Sequence, residues 1–336
     1  MENPHDISGD LMDWDEIKER EGWSGILIGN GASIAVWDNF QYTSIFNKSQ
    51  SEEIRNPLSD LDIQLFNTLV TTNFERVLSS LSIAKIVNGA LGIDTQLIQS
   101  RYDSIQTALI QAIRAVHIPW QNVPDGVFSC IRKELLNFKY VYSTNYDLLI
   151  YWAMMHEEQE GFKDYFWDER FDVSNTEIWT KVTCTLYLHG GLHLYRLPLG
   201  QTLKRRANDG QNLLDLFGQP YYENAVPLFI TEGTSEEKLS SIYRSDYLSF
   251  AFSRFSKHEG PLVIFGHSLS GSDNHLISTI ANWGAVKIAI SMLPNDPIRI
   301  HSIKSYIISK LPEAKLYFFD ATTYPLGLPY PKTLVE

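Results

Sequence analysis

Short apolar runs rich in Val, Ile, Leu, Tyr and Phe punctuate the chain: Gly25 to Gly29 (GILIG), Tyr140 to Thr144 (YVYST), Thr185 to Leu188 (TLYL), Val226 to Thr231 (VPLFIT), Leu262 to Gly266 (LVIFG), Lys287 to Ser291 (KIAIS) and Leu316 to Phe319 (LYFF). They lack the polar alternation of a half-wetted sheet, so each predicts a strand buried on both faces. Such strands belong in a parallel sheet covered by helices, and the expected class is α/β.

Between the first two runs the period changes. Leu58, Leu61, Leu65, Phe66 and Leu69, then Phe74, Val77, Leu78 and Leu81, recur at spacings of three and four, and similar spacing continues through Leu97 to Val116 and Val127 to Phe138. That period is helical, and residues 42–139 read as a large helical insertion. A second, less regular segment, 154–183, carries Phe162, Tyr165, Phe166, Trp167, Phe171 and Trp179. It reads as a small cap whose aromatics pack on the sheet, stacking on a ligand being the alternative. The sequence has no internal repeat, low-complexity tract or long linker, so residues 1–336 read as one elaborated domain.

A length of 336 residues, 44% hydrophobic and 12% aromatic, supplies a large core. Lys and Arg number 28 against 40 Asp and Glu, a net charge of -12, which disfavours duplex nucleic acid as a partner because phosphate neutralisation supplies most non-specific affinity. The local basic stretch Lys204-Arg205-Arg206 sits among Gly, Asn and Asp and reads as a solvated loop, a patch facing a single anionic ligand being the alternative. No window reaches the run of about 18 apolar residues that a membrane helix needs. The acidic start MENPHDISGDLMDWDEIKEREGW is unlike a secretory leader, so a cytoplasmic protein is expected. Cys130 and Cys184 cannot form a four-thiolate zinc site and read as small buried hydrophobes.

In a doubly wound sheet, ligands sit beyond the carboxyl ends of the strands, so the residues following each run carry the functional signal. After GILIG comes Gly29-Asn30-Gly31-Ala32-Ser33. Its glycines permit a sharp turn and close approach of backbone N–H groups to a phosphate, with a helix starting near Ser33 aimed at the same anion; a mere tight turn uses the same letters. Ile34 stands where a dehydrogenase fingerprint needs its third glycine, and that motif fails. After YVYST comes Ser143-Thr144-Asn145-Tyr146-Asp147. One such side chain suits a helix cap, but four polar side chains exceed what a cap requires. After TLYL comes His189-Gly190-Gly191. A histidine where a buried strand emerges suits a proton acceptor, a satisfied structural histidine being the alternative, and the glycines imply close approach of something to the backbone.

The fourth junction, Gly266-His267-Ser268-Leu269-Ser270-Gly271-Ser272-Asp273, has two readings. As a nucleophile elbow it makes Ser268 the nucleophile of an α/β-type serine hydrolase, with His189-Gly190-Gly191 as oxyanion motif and Asp296 and His301 as triad partners. Ser270, however, occupies the position of the last elbow glycine, and GNGAS and STNYD are left without a task. As a nucleotide-cradling loop it uses Ser268 as a hydrogen-bonding hydroxyl.

Taken in order, GNGAS, STNYD, LHG and FGHSLSGSD resemble the four signature loops of the sirtuin-like superfamily, over roughly residues 24 to 295. The resemblance implies a Rossmann-like sheet with helices on both faces and nicotinamide adenine dinucleotide (NAD) as the bound molecule. It implies that Gly29, Asn30, Gly31, Ala32 and Ser33 line the pyrophosphate, with Ser143 and Thr144 beside the same ligand and Phe40 shielding the reacting ribose. Asn145 then holds the nicotinamide-side ribose or the attacking water, Asp147 engages the carboxamide, and His189 is the general base. Gly266, Ser268 and Asp273 contact the adenosine-side ribose and phosphate.

Two departures narrow the implied activity. Two cysteines cannot build the zinc module of sirtuin deacylases, and Val36-Trp37-Asp38-Asn39-Phe40 lacks the arginine of their Pro-Asp-Phe-Arg segment. The chain therefore looks more like bacterial sirtuin-like proteins that destroy NAD, many of them effectors of anti-phage defence by abortive infection. The implied reaction is NAD hydrolysis to nicotinamide and ADP-ribose; a sensor or scaffold that binds NAD or ADP-ribose without turnover is the alternative. The sequence shows no metal-ligand pattern, and no metal is expected. Because an unrestrained NAD hydrolase would poison its host, control is expected from self-assembly or from a partner such as an ATPase or nuclease. The helical insertion is the expected oligomer or partner surface, or else a lid over the cleft.

Overall fold

The computed structural model describes residues 8–327 apart from 41–44, 124, 157–160, 167–168, 175–181, 207–211, 218, 220–221, 223 and 231–233. Tyr42, Trp167, Trp179 and Thr231, named in the sequence expectations, lie outside the described residues. The strands are β1 (Gly25–Ile28), β2 (Tyr140–Ser143), β3 (Phe162–Lys163), β4 (Thr183–Tyr187), β5 (Gly190–Arg196), β6 (Thr202–Lys204), β7 (Val226–Phe229), β8 (Leu262–Phe265), β9 (Lys287–Met292) and β10 (Lys315–Asp320).

Seven of these strands form one sheet in the order β10-β9-β8-β1-β2-β4-β3, and every pairing in it is parallel. Helices flank it, giving the α/β, Rossmann-like architecture expected from the doubly buried runs. Leu262, Val263, Ile264 and Phe265 of β8 and Ile26, Leu27 and Ile28 of β1 are all buried, as central parallel strands require. From β1 the chain builds outward in one direction to β2 and β4, then crosses to β8 on the other side. The topological switch point thus lies between β1 and β8.

One of the seven runs goes elsewhere. VPLFIT supplies β7, which joins β5 and β6 in a separate antiparallel sheet of order β6-β5-β7. Every residue of β5, β6 and β7 is buried, so an unbroken apolar run reports burial on both faces here without reporting a parallel partner. The run LHLYR, which continues from the third loop, is β5 of this small sheet.

Between β1 and β2 lie helices Asn30–Val36, Ile45–Ser49, Asp60–Thr68, Phe74–Ala90, Gln96–Val116 and Asp125–Leu135. The first predicted apolar stripe faces the core at Leu58 and Phe66, with Leu65 and Leu69 packed partly buried against it, but not at Leu61. Leu58 precedes the N-cap Ser59 and Leu61 is 57% exposed, whereas helix Asp60–Thr68 turns Asp62 and Phe66 inward. Asp62 is held there by the hydroxyls of Ser59 and Ser104 and by Arg101. Helix Phe74–Ala90 buries Phe74, Val77 and Leu78 but leaves Ile83, Ile86 and Val87 exposed, with Leu91, Ile93 and Leu97 beyond them. The helix thus carries apolar side chains on its exposed side as well as its buried one.

The basic stretch is solvent-exposed only at Arg206. Lys204 and Arg205 are buried: Lys204 pairs with Asp164 at 2.6 Å, and Arg205 donates to the carbonyls of Leu216 and Gln219. Arg206 donates to Phe166 O. Cys184 is buried in β4 but Cys130 is only half-buried, its Sγ 3.7 Å from Pro325 O. No described helix is long and apolar enough to cross a membrane.

His117 shows how the fold fixes a neutral imidazole. Its Nδ1 donates to Ile118 O at 2.7 Å and its Nε2 accepts from the backbone N–H of Leu148 at 3.0 Å. Burial pushes the rings of His117 and His258 down to about 4. The unfolded chain takes up these protons from about pH 6.5, so the fold has its full stability above that pH. Below it each ring costs about 1.4 kcal/mol per pH unit until the folded value is reached. His117→Gln should remove one such increment from the slope of unfolding free energy against pH between about 6.5 and 4. An unchanged slope, measured by urea denaturation, would contradict the assignment.

Candidate functional site

Ile28 of β1 is paired with both Ser143 of β2 and Phe265 of β8, and Ser143 is paired with Tyr187 of β4. Four strands therefore end in one row, and the four loops singled out in the sequence leave the sheet side by side. Backbone bonds carry the row onward: Gly29 N donates to Phe265 O at 2.9 Å, Thr144 N to Ile28 O at 3.0 Å and Leu188 N to Ser143 O at 2.8 Å.

The first and fourth loops interlock. Gly31 N donates to Gly266 O at 2.8 Å. A Cβ at Gly29 would lie 2.6 Å from Gly266 O and from His267 Cα, and one at Gly31 would lie 2.7 Å from Gly266 Cα. Gly266 has φ +67 and would meet Ala32 N at 2.5 Å. The close approach that these glycines allow is that of one loop backbone to the other. The same holds at Gly190, whose φ is +75 and whose Cβ would lie 2.2 Å from Leu228 O; the approaching chain is β7.

In the second loop, Asn145 is 5% exposed. Its Nδ2 donates to Gly29 O at 3.1 Å and to Ser33 Oγ at 2.8 Å, and Ser33 Oγ donates to Asp147 Oδ2 at 2.5 Å. Asp147 Oδ1 accepts from Leu149 N at 2.9 Å, where helix Leu149–Met155 begins. Burial holds the Asp147 carboxyl above the usual carboxylate range, an effect that the bonds from Ser33 and Leu149 offset only in part. Ser143 Oγ accepts from Asn145 N, and Thr144 Oγ1 donates to Ile28 O. The remaining atom of the set, Asn145 Oδ1, is buried without a hydrogen-bond partner among the described residues. The carbonyl of Gly29 can only accept, which fixes the amide orientation and makes this orphan an acceptor.

Asn30 and Phe40 serve the same corner. Asn30 Nδ2 donates to Phe40 O at 2.8 Å, and the buried Phe40 ring stands edge-on to His117 at 5.0 Å.

The third and fourth loops meet in a buried cluster. His189 is 3% exposed, and its Nε2 lies 2.9 Å from Nε2 of His275, at the start of helix Asn274–Ala281. Ser235 Oγ accepts from His275 N at 2.8 Å and lies 3.3 Å from His275 Nδ1. Asp273 is bound by Lys238 at 2.8 Å, and His267 Nε2 lies 3.8 Å from its other oxygen. Burial, then Lys238, pushes the His189 ring well below the usual histidine range, against Asp273; burial also takes His275 down to about 4. Burial alone would push the Asp273 carboxyl up, but His189, His267 and Lys238 outweigh it and hold it at about 2. Ligand atoms of His189, Asp273 and His275 lie within 4.8 Å of one another, a donor set with metal-binding chemistry. The ammonium of Lys238, already seated on Asp273, opposes a cation there.

Beside this cluster opens a cleft of about 700 Å³, lined by Phe66, Thr72, Thr234, Ser235, Ser272 and Asn274 among others. Ser268 is exposed at the fourth loop. The triad proposed for it does not form: Asp296 is spent capping helix Pro297–Lys310 through Ile298 N and Arg299 N, and His301 is exposed on that helix.

A sequence-family model described as a domain of unknown function, DUF4917, matches residues 26–325. The chain belongs to the DUF4917 family. No curated protein matches it. Among solved structures, the DUF4917 chain is similar to one described as "Structural Basis for the Mechanism and Regulation of Sir2 Enzymes", with 13% identity and a TM-score of 0.34 over 88% of this chain and 95% of that chain. The family match spans all four loops.

In this DUF4917 chain the row brings Gly29, Ser33, Asn145 and Asp147 into one hydrogen-bonded group, and His189 and Asp273 into one buried cluster. Sequence reasoning missed Ser235, Lys238 and His275. His275 carries a faint signal, two residues after Asp273 at a helix start; Ser235 and Lys238 carry none. Gly31→Ala should cost about 2–3 kcal/mol by forcing the two loops apart. Gly89→Ala, at a helical position with nothing within 4 Å, should instead stabilise by about 0.5–1 kcal/mol. Thermal unfolding of the two variants checks this; similar effects in both would refute the interlock.

Proposed function

We propose that this chain is an NAD glycohydrolase, releasing nicotinamide and ADP-ribose. The observation that carries the reading is the buried acceptor Asn145 Oδ1, without a partner among the described residues, beyond the ends of β1 and β2 of a Rossmann-like sheet, in the same row of strand ends as a neutral buried histidine. A buried acceptor without a partner costs about 1–3 kcal/mol, and a ligand hydroxyl or a held water would satisfy it. The motif order that resembles sirtuin-like proteins supports NAD as that ligand.

The chemistry fits such groups. Nicotinamide leaves as a neutral molecule from a cationic precursor, so no general acid is required, unlike ordinary glycoside hydrolysis. What remains is to hold the ribose, tolerate positive charge on it and remove a proton from the attacking water. Asn145, locked through Ser33 to Asp147, positions the ribose hydroxyl or the water. Asp147 adds negative potential, and neutral His189 accepts the proton. The network gives Asp147 a part in orienting Asn145 alongside its expected grip on the carboxamide.

Asn145 and His189 are both buried, so NAD reaches them only when the elements over the strand ends move. A slow resting enzyme follows, in keeping with an effector of anti-phage defence that must stay silent. Self-assembly is the control we favour, through the apolar outer face of helix Phe74–Ala90 against a second copy. Binding of NAD or ADP-ribose without turnover is the second reading, favoured by the same burial.

Incubation with NAD should yield nicotinamide and ADP-ribose, and Asn145→Ala or His189→Ala should lower the rate at least about 100-fold. Undiminished release in both variants would remove the assignment, and tight ADP-ribose binding with no product under any condition would favour the sensor. Because burial holds the His189 base deprotonated, kcat/KM should stay level as pH falls through about 6.5 and drop only below it. An acid limb at or above that pH would contradict the role of His189.

A further inference from the structure

The reaction proposed above deposits a proton on a buried histidine, and among the described residues a hydrogen-bonded route leads from that ring toward solvent. His189 Nε2 faces His275 Nε2 at 2.9 Å, and His275 Nδ1 faces Ser235 Oγ at 3.3 Å. Ser235 lines the cleft of about 700 Å³. We infer that His275 and Ser235 are positioning residues that form a proton outlet from His189 to this cleft.

The geometry assigns each hydrogen. Ser235 Oγ already accepts from His275 N at 2.8 Å and, with its second lone pair, can accept from His275 Nδ1–H while its own hydroxyl proton turns toward the cleft. His275 Nε2 is then unprotonated and accepts from His189 Nε2–H, which leaves His189 Nδ1 as the basic atom. When Nδ1 takes a proton, the Nε2 proton crosses to His275 Nε2. The Nδ1 proton of His275 leaves through Ser235 to water in the cleft, so one proton enters and one departs.

The surrounding charges favour passage over storage. Asp273 attracts positive charge onto both rings and Lys238 repels it, with His267 adding a third imidazole. The carboxylate and the ammonium lie 2.8 Å apart and largely cancel, so neither imidazole is a resting place for the proton. The same ammonium argues against a metal ion in this cluster, and the His–His hydrogen bond accounts for the short nitrogen separation without one.

The inference rests on the hydrolase reading, and the test separates the two. In His275→Gln, whose amide cannot pass a proton, kcat should fall about 10- to 100-fold with KM within about twofold and with a larger solvent deuterium isotope effect. His275→Ala should be partly restored by added imidazole. Ser235→Ala should show a smaller kcat loss. Independently of turnover, imidazole-labelled protein should show nitrogen–nitrogen coupling across the His189–His275 hydrogen bond, with His189 in the Nε2–H tautomer. Wild-type kcat in His275→Gln, a change confined to KM, or a folded His275→Ala that imidazole does not restore would overturn the outlet. If wild-type protein releases no nicotinamide, the hydrolase reading fails while the coupling still reports on the hydrogen bond; absence of that coupling would overturn the outlet by itself.

Discussion

Parallel pairing holds Ile28, Ser143, Tyr187 and Phe265 in one row across β1, β2, β4 and β8, and every feature of the candidate site follows from that level ending. A shift by one residue in any of these pairings would carry a loop out of the row and turn its side chains to the other face. The row is rigid because the strands are buried on both faces and because the loops that leave it grip one another. Glycines at 29, 31 and 266 let two backbones come closer than any side chain would allow.

Upon this frame sits a buried polar network that is almost fully satisfied. Ser33, Asn145 and Asp147 exchange hydrogen bonds with each other and with the backbone of Gly29 and Leu149, as burial demands. Against that background one orphaned acceptor, Asn145 Oδ1, stands out. A second buried group, His189 with His275, Asp273 and Lys238, occupies the neighbouring loops. Its rings are kept neutral by burial and its one carboxylate is held ionised by a seated lysine, which suits groups that receive and pass protons and ill suits groups that hold cations.

Hydrophobic patterning made the sheet legible because a parallel strand is apolar along its whole length; six of seven runs lie in it. The seventh, β7, was misplaced since burial on two faces looks the same in a small antiparallel sheet. Glycines announced close approach, and close approach is what they permit, but periodicity cannot say that the visitor is the chain's own backbone. Lys204 and Arg205 read as solvated because charge in a Gly- and Asn-rich stretch usually is; their partners Asp164, Leu216 and Gln219 are remote or irregularly spaced. Ser33, Asn145 and His189 could be singled out because they follow strands. His275, 86 residues from His189, and Lys238 could not, for nothing local marks a residue whose role comes from a partner across the fold.

A crystal structure with ADP-ribose bound tests the account most directly. It predicts the ribose of the ligand, or a water held by it, within hydrogen-bonding distance of Asn145 Oδ1 beyond the ends of β1 and β2. Ligand bound elsewhere, with that oxygen satisfied by the chain alone, would contradict it.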